Sequence, residues 1–503
     1  MSGFAVSYGN PQIRQLESMM QIIRHRGPHI YGIWSEGAVA MGQNYLRADL
    51  FGPQPQEVPL SGLNALRICY DGQIGDRARL CAEAGLDPQS TSEESLLLEL
   101  YRRDGPGMLE RLDDAIFAFV ISDGNELFAA RDLLGIKTLF YGRKENTLYL
   151  SCELKSALVA TRGVFEFPPG HSMDGAGHLR RFSRLPEQAP RTVVHSPEEA
   201  AANIRDIIRE SFESRVDLAR PTAALLSGGM DSSAICTEAV RTVKERFGPD
   251  ARLSTFAIGV GESEDVLSAR TVAQHLGTEH RELMVDPEEV EEVLPTVIYH
   301  LESFDPSLVR GAAANYLVSR HAAGHGFEVL LSGEGGDEVF CGYGYLADVP
   351  LEEMFSRQME CLGFLHNNAA LRLDRMNLAN SVRVVAPLIS GRLLSYALEL
   401  PPEFKQHPQG GGRMEKWIFR KAYESLLPAE IVWRSKQEFS EGSGSADSLI
   451  RRFEDRITEG ELAEAQAAFP QLRSKEELYY FRIFTGHFGD SQAVDTVGQW
   501  ISL

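Results

Sequence analysis

Cysteine is scarce and poorly placed for chemistry: six residues, at 69, 81, 152, 236, 341 and 361, with no CxxC pair among them. That scatter excludes a zinc ribbon and a disulfide framework, and leaves the thiols as small apolar core residues of a reducing compartment. Basic charge is short as well. Fifty lysines and arginines stand against 71 acids, a net charge of −21, which repels DNA, RNA and anionic lipid surfaces. Nowhere do about 18 apolar residues run together, and the first residues carry no basic, apolar signal pattern, so a cytoplasmic chain without a membrane span is expected. Internal repeats and long polar tracts are absent too. What remains is 503 residues, 43% of them hydrophobic, too many for one core and suited to about two domains.

Up to about residue 180 the chain reads as short strands between turns, among them Glu126–Arg131, Thr138–Tyr141 and Thr147–Leu150, which predicts a layered, sheet-rich domain over residues 1–185. Basic and proline residues then replace the alternating pattern. Ser196-Pro197-Glu198-Glu199 restarts it with an N-cap, a proline at the first helical position and a capping-box Glu. From residue 195 to 503 strands and helices first alternate, as in a parallel α/β sheet, and beyond about residue 350 helical patterns dominate.

The most informative stretch is Ser227-Gly228-Gly229-Met230-Asp231-Ser232-Ser233, between the apolar strand Ala223–Leu226 and a helical pattern ending at Lys244-Glu245-Arg246. Glycines that admit a ligand to the backbone, three hydroxyls and a helix N-terminus together fit a pyrophosphate. Asp231 would repel a bare phosphate, so its expected role is to hold Mg²⁺. A Walker loop is excluded by the missing GK[ST], and a dinucleotide fingerprint by the missing third glycine. Ligands of such sheets bind at the carboxyl ends of the strands. A second strand ends at Ile258-Gly259, where a backbone edge could meet a purine. A third ends in Ser332-Gly333-Glu334-Gly335-Gly336-Asp337-Glu338, six of whose seven residues are glycine or acid, with Asp337 as the candidate second Mg²⁺ ligand.

These segments carry a resemblance. SGGMDSS resembles the pyrophosphate loop of ATP pyrophosphatases, and SGEGGDEVFCGY at 332–343 resembles the matching segment of glutamine-dependent asparagine synthetases. His25–Pro28, Ala130–Lys137 and Ser151–Ser156 look like that family's glutaminase domain; Glu302–Asp305, Val309-Arg310, Met414–Lys416 and Trp433–Ser440 look like its synthetase domain. The fold this implies is an α+β N-terminal nucleophile-type sandwich followed by an α/β ATP-pyrophosphatase domain with a parallel sheet and a helical C-terminal part. The activity it implies uses ATP and Mg²⁺: a carboxylate attacks the α-phosphate, and a nitrogen nucleophile displaces AMP. By the same resemblance Leu226 and Ile258 border the adenine, Ser227, Gly228, Gly229, Ser232 and Ser233 hold the pyrophosphate beside Ser332 and Gly333, and Asp231 and Asp337 bind the metal. Lys436 then stabilises charge on the phosphate and the tetrahedral intermediate, and Glu334 takes a proton from the attacking amine. Glu302, Asp305, Arg310 and Arg383 are the expected substrate contacts. A small amino acid is the expected partner, with a homodimer left open as the assembly.

The chain also departs from the pattern. Glutaminases of this type attack through a cysteine exposed by removal of Met1, and here that residue is Ser2. The arginine that binds glutamine's carboxylate is Tyr45, and the Asn-Gly-Glu of the oxyanion hole and ammonium site is Asp71-Gly72-Gln73, although Asp114 persists. The glutaminase is therefore expected to be inactive. In the synthetase half, Glu-x-Arg-x-Pro-Phe-Leu-Asp of the aspartate-using relatives has become Arg383-Val384-Val385-Ala386-Pro387-Leu388-Ile389-Ser390, which points away from aspartate. An adenylating centre without its own ammonia source resembles the β-lactam synthetases, which close a ring with an amine already in the substrate. Against that, those enzymes carry Tyr where this chain has Glu334. Two alternatives stand beside ring closure: a ligase fed by free ammonia or a second amine, and a non-catalytic protein that senses ATP.

Overall fold

The computed structural model describes residues 2–46, 56–193, 196–261, 263–434, 453 and 456–500. It divides into two compact units, residues 1–185 with 488–496, and residues 186–487 with 497–503. A segment near the end of the chain thus joins the first unit, which no local pattern announces.

The first unit is built on a seven-stranded and a six-stranded sheet. Its strands are short, rich in β-branched and aromatic residues, and paired almost throughout in antiparallel fashion, with one parallel pairing of Ile30–Glu36 with Gln56–Glu57. One core joins the two sheets: Phe4, Val6 and Met41 from the first pack with Cys69, Val120 and Ala129 from the second. Helix Ile13–Ile22 covers the first sheet through Leu16, Met19 and Met20. Helix Glu93–Asp104 covers the second, burying Leu96, Leu97 and Leu100 against Ile68, Phe117 and Phe119. All six cysteines are buried thiols outside any disulfide, in keeping with their apolar reading.

The second unit opens on helix Pro197–Arg215, where Ser196 accepts the Glu199 N–H at 3.1 Å and Pro197 starts the first turn. Its centre is a five-stranded parallel sheet in the spatial order Glu279–Val285, Ser254–Val260, Thr222–Leu225, Val329–Leu331, Arg383–Val385. Chain order and spatial order diverge at Thr222–Leu225, whose next strand in sequence lies on one side and whose later partner Val329–Leu331 lies on the other. That divergence opens a crevice at the strands' carboxyl ends. Helices Met230–Phe247, Pro306–Gly324 and Ala369–Leu378 follow three of these strand ends or flank them. Among the described residues after 350, Gln406–Gln409 pairs with Gly412–Glu415 in a hairpin. Its turn residues Gly410 and Gly411 have φ of 60° and 87°, the backbone a type I′ hairpin demands. Among the described residues no helix is long and apolar enough to cross a membrane.

Candidate active site

A cleft at the carboxyl ends of the parallel strands is lined by Leu226, Ser227, Asp231 and Ser232 from the first loop, Phe256, Ala257 and Ile258 from the next strand, and Ser332, Gly333, Glu334 and Asp337 from the third. Three segments that the sequence marked separately therefore meet in one place. Gly229 and Ser233, the latter fully buried, belong to the same loop and helix start. The loop is fastened by its own hydroxyls. Ser233 Oγ donates to the Gly229 carbonyl at 2.7 Å, Ser227 and Ser232 pair their hydroxyls at 3.1 Å, and the Gly229 N–H reaches Ser227 Oγ at 3.3 Å. Gly228 holds φ of 73° with Ser268 and Ala269 pressed against it, so no Cβ fits. Gly228→Ala is expected to weaken ATP binding about tenfold or more by displacing the loop, read from nucleotide titration with the fold checked by circular dichroism.

The glycines of the third segment have a sharper role than turning the chain. A Cβ on Gly333 would lie 2.5 Å from the Asp231 backbone, and one on Gly336 2.6 Å from the Asp231 carboxylate. They let two acidic loops touch. Between these loops sits the ammonium of Lys416, bonded to Asp231 and 2.7 Å from Asp337 Oδ1, with only 2% of its side chain exposed. The type I′ hairpin delivers it: Lys416 directly follows the second hairpin strand, in a left-handed conformation (φ 53°) at the N-cap of helix Trp417–Tyr423. Two carboxylates converging on one cation suit a hard divalent ion shared with phosphate oxygens, so Asp231 and Asp337 fit Mg²⁺.

Glu334 receives a guanidinium bond from Arg372 at 2.6 Å. Glu338, behind the loop, is 2% exposed; burial first and Asp337 second push its carboxyl up to about 7, while Tyr343 donates to it at 2.7 Å. Lys436 lies outside the described residues.

The four expected substrate contacts lie away from this cleft. None is among the residues lining the cleft. Glu302 is buried against Arg375 at 2.9 Å. Asp305 caps helix Pro306–Gly324 by accepting the Leu308 N–H at 3.2 Å, and also takes Arg473 at 2.8 Å and the Trp500 N–H at 3.0 Å. Arg310 forks onto Glu476 at 2.9 and 2.5 Å. Arg383 begins its strand, at the end opposite the cleft, with its N–H on the Glu328 carbonyl at 2.9 Å. For Glu302, Asp305 and Arg310 the charge is taken up by a partner in the fold. Ser390 is the N-cap of helix Gly391–Glu399. Sequence reasoning overlooked Arg372 and Asn315 altogether; the second had one signal, a lone amide within Gly311-Ala-Ala-Ala-Asn-Tyr-Leu-Val318.

In the first unit, Ser2 lies in a strand of the first sheet and is 3% exposed. Its N–H donates to Asp71 Oδ1 at 3.1 Å, its hydroxyl donates to the Tyr70 carbonyl at 2.5 Å, and Gln43 donates to that hydroxyl at 2.9 Å. Around it runs a buried charge network. Arg26 spans Asp71 at 2.7 Å and Glu153 at 3.0 Å; Lys155 reaches Glu153 at 2.5 Å, His25 reaches it at 3.1 Å, and Lys137 lies 3.6 Å from Asp71. Burial lowers the His25 pKa, so its imidazole favours the neutral form. The Asp71 charge is compensated by Arg26, and a carboxylate offers no N–H to an oxyanion.

Comparison with known proteins fits this division. A family described as asparagine synthase matches residues 203–360 and 348–494, and a glutamine amidotransferase domain matches residues 1–192. The chain is 30% identical to a probable glutamine-hydrolysing asparagine synthetase of Dictyostelium discoideum, over 96% of this chain and 92% of that one. It is 31% identical to asparagine synthetase B of Escherichia coli, described as glutamine-hydrolysing, over 95% and 89%. A solved glutamine phosphoribosylpyrophosphate amidotransferase of B. subtilis aligns at 14% identity and a TM-score of 0.32, over 58% of this chain and 92% of that one.

Proposed function

The chain belongs to the asparagine synthase family, and from that premise we propose that it is an ATP-dependent carbon–nitrogen ligase, forming AMP, whose nitrogen is an amine already present in its amino-acid substrate. The observation that carries the second half of this reading is the state of Ser2. Its hydroxyl proton is committed to a backbone carbonyl and its N–H to a carboxylate, inside a sealed ion-pair network. A nucleophile needs a base to take its proton, and here the nearest acceptors are structural. Tyr45 and Asp71 stand where glutamine's carboxylate and oxyanion would need cationic and N–H donors.

The second unit, in contrast, has what adenylation needs. The glycine loop and the N-terminus of helix Met230–Phe247 offer N–H groups and hydroxyls to phosphate oxygens. Asp231 and Asp337 would hold Mg²⁺, which supplies charge neutralisation at the phosphates. Glu334, held by Arg372, would accept a proton from an amine. Leu226 and Ile258 give the adenine apolar walls, both nearly sealed from water. Lys436 keeps its proposed charge-stabilising role. A tethered amine removes the need for ammonia, since correct positioning contributes roughly 7 kcal/mol or more relative to a free nucleophile. Ring closure of the β-lactam synthetase kind is the form of this reaction that an uncharged Val385 and a capping Ser390 support over aspartate amidation.

The test is pyrophosphate and AMP release with Mg²⁺ and ATP across a panel of amino and diamino acids, with and without ammonia or glutamine. Diamino acids alone should support turnover. Ser2→Ala should leave that turnover unchanged, and glutamine hydrolysis should not rise above background in either protein. Glutamine-dependent product would overturn the reading. Turnover only with added ammonia would replace it by an ammonia ligase, and no turnover at all by an ATP-binding protein without catalysis.

A further inference from the structure

Asp337 sits in the first turn of helix Gly336–Phe340, which the chain enters at Gly335 and leaves at Cys341, both in left-handed backbone (φ 98° and 56°). A helix this short leaves most of its carbonyls without an internal partner. Its end is held from outside instead. Gln358, on helix Met354–Phe364 and 1% exposed, donates through Nε2 to the carbonyls of Glu338 at 3.1 Å and Val339 at 2.6 Å. Gln406 Nε2 donates to the Cys341 carbonyl at 2.7 Å.

Behind Gln358 lies Lys405, 4% exposed, whose ammonium donates to Gln358 Oε1 at 2.9 Å. Among the described residues no carboxylate pairs with it. A buried ammonium that faces only a neutral amide is costly to keep in a fold. Its position gives it a task. An ammonium only donates and a carbonyl only accepts, so one orientation of the Gln358 amide serves both neighbours, with oxygen on Lys405 and N–H groups on the helix.

Lys405 ends helix Pro402–Lys405, and Gln406 begins the hairpin that delivers Lys416, standing opposite Glu415 in its register. One segment therefore grips the Asp337 helix twice, at its carbonyl end through Lys405 and Gln406 and at its acid through Lys416. Gly342 leaves room for the second grip, since a Cβ there would strike both Lys416 and Asp337.

We propose that Gln358 and Lys405 are positioning residues that set the Asp337 carboxylate for metal–nucleotide binding, acting through the backbone of helix Gly336–Phe340. This rests on the metal role given to Asp337 in the ligase reading. Neither side chain lines the cleft, so both act at one remove from it.

The experiment measures Mn²⁺ binding to the full chain in the presence of a non-hydrolysable ATP analogue, by electron paramagnetic resonance of the free ion, alongside the melting temperature. Lys405→Met replaces the lone buried charge by an apolar chain of similar length, so the melting temperature should hold or rise. Mn²⁺ binding should nevertheless weaken about tenfold or more, because Gln358 loses its anchor. Lys405→Arg, which still donates to Gln358, should bind Mn²⁺ within about threefold of wild type. A brace that serves stability alone would move the melting temperature and leave the Mn²⁺ affinity of the folded protein where it was. Mn²⁺ affinity within about twofold of wild type in Lys405→Met, or a loss in Lys405→Arg as large as in Lys405→Met, overturns the assignment while the ligase reading stands. Should Lys405→Met not fold, Gln358→Asn decides by the same twofold criterion, because it keeps the amide and withdraws its reach to the carbonyls. Failure of the wild-type protein to bind Mn²⁺ with the nucleotide overturns the metal role of Asp337, and the ligase reading with it.

Discussion

Asp231→Asn is expected to lower AMP formation about a hundred- to a thousandfold while the protein stays folded. The substitution is nearly isosteric, which matters in a crowded place: the Asp231 carboxylate fills the space that Gly336 leaves open, and its backbone fills that left by Gly333. A larger change would push the two acidic loops apart and confuse a chemical loss with a steric one. Charge is what the asparagine removes. Asp231 and Asp337 together face the Lys416 ammonium, and with one carboxylate gone Lys416 still has Asp337 at 2.7 Å, so no buried charge is orphaned. The chemical loss follows from the proposed Mg²⁺ role of Asp231. A site with one carboxylate holds Mg²⁺ weakly, because the ion binds through one or two carboxylates plus phosphate oxygens. The expected signature is a lower rate at every Mg²⁺ concentration together with a higher half-saturating concentration. Turnover within about tenfold of wild type at matched Mg²⁺ would remove Asp231 from the metal site.

The contrast between Asp231 and the four charges that lie away from the cleft explains what could be read in advance. The loop at 227–233 is a local object: strand, glycines, hydroxyls and helix start fall within a dozen residues, and periodicity alone marks them. The same holds for Ser332–Glu338, and for the capped start of helix Pro197–Arg215. Glu302, Asp305, Arg310 and Arg383 carry equally local signals of charge, but their fates depend on distant sequence. Arg310 meets Glu476 across 166 positions and Asp305 meets Arg473 across 168. Lys416 was noticed as part of a pattern, yet its place between the two acids depends on a hairpin turn and on a contact spanning 185 residues. Arg372 reaches Glu334 over 38 residues, through a glycine on a third segment. Pair interactions of this kind arise from packing, and a linear reading can supply candidates for them without supplying partners.

Arg26→Ala is expected to destabilise the N-terminal unit by about 3–5 kcal/mol, the range for removing one member of a buried charge network. Arg26 has no exposed surface, and its guanidinium forks between Asp71 and Glu153, each 1% exposed. Truncation leaves two buried carboxylates with fewer cations: Glu153 retains Lys155, with the His25 imidazole beside it, but Asp71 retains only the looser contact with Lys137 at 3.6 Å among the ion pairs described. The Arg26 Nε bond to the Ser2 carbonyl, 3.1 Å, is lost at the same time, so the edge of the strand Ser2–Tyr8 loosens with the charges. Arg26→Lys should recover only part of this, because an ammonium is a point donor and cannot hold both acids and the carbonyl from one position. Hydrogen exchange gives the clearest measurement, since a two-unit chain has no single unfolding free energy. Amides of Ser2–Tyr8 and Val39–Tyr45 should lose protection in Arg26→Ala, while those of Thr222–Leu225 and Ser254–Val260 should hold theirs. Full protection of the first two strands would mean that the network around Ser2 is not what fastens them. Ser2 would then be held through its hydroxyl bonds to Tyr70 and Gln43.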